Sequence, residues 1–127
     1  MLKNKDYCDY DTCVALREVG CRIQTEWYIH QPSYERGSCY LCFGIPRETS
    51  VLDECDYIPR LSLYEAQKWL REAHNLHIEI TYSPACWTGK IYDLKKWDYI
   101  KGFTFFESFE DTLHILIKEA VKILKEK

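Results

Sequence analysis

Residues 60–94, RLSLYEAQKWLREAHNLHIEITYSPACWTGKIYDL, constrain the fold most, because helix, turn and strand signals follow one another there without ambiguity. Ser62 followed three residues later by Glu65 is a capping box, and Ala66, Trp69, Leu70 and Ala73 recur at i, i+3, i+4 and i+7, one apolar helix face. Asn75 suits the left-handed residue that stops such a helix. Residues 77–82 then alternate with period two, so Ile78, Ile80 and Tyr82 face one way and His77, Glu79 and Thr81 the other. After a turn around Ser83, Pro84 and Ala85, residues 90–94 read as the partner strand.

Upstream, Asp11 as N-cap and Gly20 as terminator predict a short helix whose inward residues are Leu16, Val19 and either Val14 or Ala15. Residues 25–30, TEWYIH, read as a strand with Trp27 and Ile29 on one face and Tyr28 and His30 on the other. Residues 38–43 form its hairpin partner across a turn-rich connection, and Pro46 ends it. The 44–61 segment is long for a structureless loop, so VLDEC within it is read as a short helical turn. Residues 95–105 are a loop or, through FTFF, a short edge strand. Ser108 and Asp111 cap a last helix with the stripe Leu113, Leu116, Ile117, Ala120, Val121 and Leu124, opposite which Ile115 falls.

The order is thus α, ββα, ββα: an α+β fold with a four-stranded, mostly antiparallel sheet and helices on one face. At 127 residues the chain reads as a single domain. Its 46% hydrophobic and 29% charged residues exclude disorder, and no apolar run reaches the length of about 18 that spans a bilayer. The N-terminus turns acidic where a secretion signal needs its apolar stretch, which predicts a cytoplasmic protein whose seven cysteines are thiols. The net charge of −3 gives no basic footprint for phosphates, so nucleic acid is not an expected partner. Ten Tyr, five Phe and four Trp exceed what one small core uses, which sends some rings to a surface.

The segment AQKWLREAHNLHIEI, a hairpin ending in IYDL, and SFEDTLHILIKEAVKIL together are similar to a pattern found in small, functionally uncharacterised proteins of bacteriophages and mobile elements in gut bacteria. The likeness spans residues 60–125, with a weaker echo in DTCVALREVG. It implies expression inside a bacterial cell and action on host machinery, and it supplies no activity. The CYLC segment and the 44–61 loop lie outside the pattern.

Cys39 and Cys42 have the C-x2-C spacing of a zinc knuckle, and Cys55, Cys86, His74 or His77 would be the further ligands. A strand through Tyr40 and Leu41 instead throws Cys39 and Cys42 to opposite faces, where they are small apolar side chains. That second reading is preferred: no metal and no cofactor are expected. His77 and Glu79 share a sheet face, which Tyr28, His30, Tyr40 and Tyr92 join if the two hairpins form one sheet. Such a face suits a small polar ligand, stacked bases or acid–base chemistry, and the preferred reading is an ordinary solvated face whose cross-strand aromatic pairs stabilise the sheet. No nucleophile is spaced with a base, and an enzyme is not expected. Trp87 and Trp97 flank the last strand; each is read as part of a core under a loop, with a partner anchor at a rim as the alternative. The function expected is a non-enzymatic interaction protein that binds a host protein or forms a homodimer. A small-ligand binder, for example of a nucleotide, is the alternative, and a zinc-stabilised domain the third reading.

Overall fold

The computed structural model describes residues 4–30, 40–43 and 57–126. The fold is α+β, and the described residues form three α-helices and two three-stranded antiparallel sheets in place of one four-stranded sheet. The chain separates into two compact units, Asp9–Leu61 and a second made of Met1–Cys8 with Ser62–Lys127. Among the described residues, no helix is long and apolar enough to cross a membrane.

In the Asp9–Leu61 unit, helix α1 covers Tyr10–Glu18. Its N-cap is Asp9, whose carboxylate accepts from the Thr12 amide at 2.8 Å, so Asp11 stands in the first turn. Either aspartate can cap, and both favour the positive end of the helix dipole. Gly20 ends the helix as expected, at φ +103°, a conformation glycine adopts without steric cost. The buried face is Thr12, Cys13 and Leu16; Val14, Ala15 and Val19 are half-buried.

Strand β1 (Trp27–His30) lies between β2 (Tyr40–Phe43) and β3 (Tyr57–Pro59), antiparallel to both. The hairpin of β1 and β2 follows the sequence expectation, whereas β3 comes from the segment read as a connector. Three residues are too few to show periodicity, and β3 forms because Ile58 is buried opposite Ile29. Pro59, which lacks an amide donor, sits on an edge strand where that lack is tolerated. VLDEC lies outside the described residues.

In the second unit, helix α2 (Leu63–His74) starts with the full capping box: the Glu65 amide donates to Ser62 Oγ at 3.1 Å, and the Ser62 amide donates to Glu65 Oε1 at 3.0 Å. It ends at Asn75, left-handed at φ 57°. Leu63, Ala66 and Leu70 are buried; Trp69, expected in the core, is half-buried with its ring 4.9 Å from His74, and Ala73 is exposed.

Strands β4 (Leu76–Ser83), β5 (Cys86–Asp93) and β6 (Asp98–Phe106) form the second sheet in that order. The β4–β5 hairpin is tighter than expected, with Ser83 paired to Cys86. Pro84 followed by Ala85 at φ 74° is the pattern of a type II turn. The β5–β6 turn is held by Asp93, whose carboxylate accepts from the Lys95 and Lys96 amides at 3.0 and 3.3 Å. FTFF belongs to β6, which is longer than the short edge strand expected from it.

Helix α3 (Phe109–Lys125) covers one sheet face and packs on all three strands and on α2. Ser108 Oγ accepts from the Asp111 amide at 3.1 Å. The expected stripe is buried through Val121, joined by Thr112, whose hydroxyl donates to Ser108 O at 2.7 Å; Leu124 is half-buried and Ile115 exposed. With Leu70, Leu76, Ile78 and Ile91 this is the core, and each such buried Leu or Ile contributes about 1.5–3 kcal/mol.

Candidate functional site

Alternation along β4 turns Leu76 and Ile78 toward the helices and His77, Glu79 and Thr81 to the other face of the sheet. Register then fixes their neighbours: Tyr92 lies opposite His77, Lys90 opposite Glu79, and Thr88 opposite Thr81. On β6, Tyr99 lies opposite Tyr92 and Gly102 opposite Lys90. The result is a cross-strand row, His77–Tyr92–Tyr99, beside a second row of Glu79, Lys90 and Gly102.

A shift of register between Ile91 and Tyr92 brings Tyr99 into this row. Ile91 pairs with Lys101 and Tyr92 with Tyr99, so Ile100 is the extra residue of a bulge. Lys101 consequently stands on the helix side, where its Nζ lies 3.0 Å from Glu119 Oε2 on α3. Tyr99 stands on the side opposite α3, its ring edge-on to Tyr92 at a centroid distance of 6.0 Å. Glu79, Thr81, Lys90 and Tyr99 are exposed, while His77 and Tyr92 are half-buried. The face therefore offers two π-surfaces, a carboxylate, an ammonium and an imidazole within three neighbouring strands. Trp97, expected in a core under a loop, is instead 87% exposed, at φ 59° in the turn just beyond the Tyr92–Tyr99 pair.

Tyr28, His30 and Tyr40, expected on the same face, belong to the other sheet. There His30 pairs with Tyr40 on one side and Tyr57 on the other, and its ring stacks on Tyr57 at 4.2 Å with an interplanar angle of 3°. Tyr28 lies opposite Cys42 and Pro59. The six predicted residues thus form two groups of three. Tyr57 was missed because β3 carries no periodic signal, and Tyr99 because its face depends on the bulge.

Cys39 and Cys55 lie outside the described residues. Cys42 in β2 and Cys86 in β5 are half-buried and form no disulfide. Among the described residues no group of three or more His, Cys, Asp or Glu side chains is arranged to hold a metal ion. Trp87, half-buried, meets Tyr82 edge-on at 4.9 Å and Phe109 at 5.7 Å, contacts of the kind expected of a residue at the edge of the core. Away from both groups, partial burial, followed by the negative charges of Asp6 and Glu110, raises the Tyr64 phenol above its usual range. Compared with protein-family models, with curated proteins and with solved structures, the chain shows no match.

Proposed function

We propose that this protein is a non-enzymatic binding protein that uses the face of β4–β5–β6 opposite α3 to hold a host protein or a second copy of itself. The observation that carries this reading is the Tyr92–Tyr99 pair, a ring contact on the sheet face opposite α3, with Glu79 and Lys90 beside it. Tyrosine gives a large contact area at low cost in side-chain freedom and is enriched at protein interfaces, and a flanking charge of each sign sets orientation. A partner from the host cell is part of this proposal because the sequence pattern of residues 60–125 resembles that of small phage and mobile-element proteins, and a cytoplasmic setting because the cysteines read as thiols.

The test compares the wild-type chain with a Tyr92→Ser/Tyr99→Ser variant, by sedimentation velocity over a concentration series and by affinity capture from bacterial lysate. A dimer, or a captured protein, that the wild type shows and the variant loses supports the reading. A wild type that stays monomeric and captures the same proteins as the variant overturns it.

A further inference from the structure

On the face of β4–β5–β6 opposite α3, Glu79 of β4 and Lys90 of β5 are both exposed and lie directly opposite each other in register. They are the middle of three cross-strand pairs on that face. His77 and Tyr92 stand to one side of them, and Thr81 and Thr88 to the other.

A carboxylate and an ammonium at paired positions of neighbouring strands make a surface that complements itself. In an isologous contact, residue i of one copy meets residue j of the other, and j meets i. When two such sheets stack about a two-fold axis that runs along the strands between β4 and β5, β4 of each copy lies over β5 of the other. Glu79 then lies over Lys90 of the partner subunit, and Lys90 over Glu79 of the partner subunit. The four charges alternate in sign around the axis, each carboxylate between two ammonium groups. An axis along β5 would instead set the two lysines on each other, and one along β4 the two glutamates, so the charges select the axis between the strands. Stacked sheets keep their strand directions within about 30° of each other, and such a crossing disturbs the middle pair least.

The flanking pairs match about the same axis. Tyr92 comes over His77 of the partner subunit, ring against ring, and Tyr92 is itself backed by the edge-on Tyr99 ring. Thr81 comes over Thr88 of the partner subunit, and these small side chains let the sheets approach. A foreign partner needs only a surface that fits its own, and gives no reason for this face to fit itself. We infer that the occupant of this face is a second copy of the chain, stacked face to face about an axis between β4 and β5, with Glu79 and Lys90 exchanged across it. Self-pairing in this form rests on the binding role proposed for the face and narrows it to one partner.

Sedimentation velocity of the full chain, in a series reaching about 1 mM, should show a monomer–dimer equilibrium. Glu79→Lys and Lys90→Glu each set like charges across the axis, and each should weaken the dimer about tenfold or more. Mixed in equal amounts, the two variants should form a heterodimer of nearly wild-type affinity, because every charge again meets its opposite. In either variant like charges also face each other within the chain, a cost to the sheet itself, so the wild type supplies a second readout. In dimers of isotope-labelled with unlabelled chains, filtered NOEs should join the His77 ring of one copy to the Tyr92 ring of the other. A wild type that stays monomeric throughout the series overturns the self-pairing. If that monomer still captures a protein from lysate through Tyr92 and Tyr99, the binding role of the face stands with a different occupant. Single variants that dimerise like the wild type, a mixture no tighter than its components, or a dimer without the His77–Tyr92 NOEs overturns the exchange of Glu79 and Lys90 across the axis.

Discussion

The phenol oxygen of Tyr99 lies over Gly102, 2.5 Å from the point that a β carbon at residue 102 would occupy. The missing side chain is what lets Tyr99 lie along its own strand while its ring meets Tyr92. The two residues act as a ring and its seat.

Gly102→Ala should therefore displace the Tyr99 ring with little loss of stability, because the phenol is the far end of a flexible side chain. The expected cost is below about 1 kcal/mol by chemical denaturation, alongside clear changes in the Tyr92 and Tyr99 ring resonances. A large fall in the unfolding midpoint, or unchanged ring resonances, would contradict the described packing.

Gly89 is a different case. A β carbon there would overlap Leu116 Cδ1 and come within 3.0 Å of Thr112 Cγ2, both on α3 and both fully buried. Gly89→Ala should cost about 1–3 kcal/mol by overpacking, read as a lower denaturant midpoint. Combined with Leu116→Ala, which opens that space, the loss should be smaller than the sum of the single losses. Additive losses would mean that the two positions do not touch.

At the end of α2, Asn75 holds φ 57°. Ala in its place should destabilise by about 1–2 kcal/mol, whereas Gly should be neutral to within about 0.5 kcal/mol. Thermal unfolding of the two variants separates this account from one based on the Asn75 side chain, in which both substitutions would cost the same.

Ser62→Ala removes one half of the capping box in a residue that is only 3% exposed. A loss of about 1.5–2 kcal/mol is expected, the upper part of the usual capping range, because the orphaned Glu65 amide is part-buried. Equilibrium urea unfolding should show a lower midpoint with an unchanged slope.

The elements that the sequence disclosed best are those whose signals are local. The capping boxes at Ser62 and Ser108, the left-handed Asn75, the terminating Gly20 and the alternation through His77 and Glu79 all rest on residues within one or two turns of each other. The cap of α1 was legible in kind but not in position, since Asp9 and Asp11 are equally suited to it. Half of the candidate face could be found the same way: His77 and Glu79 from period two, and Tyr92 once the β4–β5 hairpin closed at Ser83 and Cys86.

By itself, then, the sequence determined the α+β class, where the helices start and stop, and which side of β4 faces the core, because steric and hydrogen-bonding preferences act between near neighbours along the chain. Only the tertiary structure decided that Tyr57 joins β1 through a three-residue strand and that β6 completes a second sheet, which separates Tyr28, His30 and Tyr40 from His77, Glu79 and Tyr92. It also decided, through the bulge at Ile100, that Tyr99 and Lys101 face opposite ways. In a regular strand they would share a face. Strand partners and bulges are selected by contacts between distant segments, and periodicity within a segment carries no record of that choice.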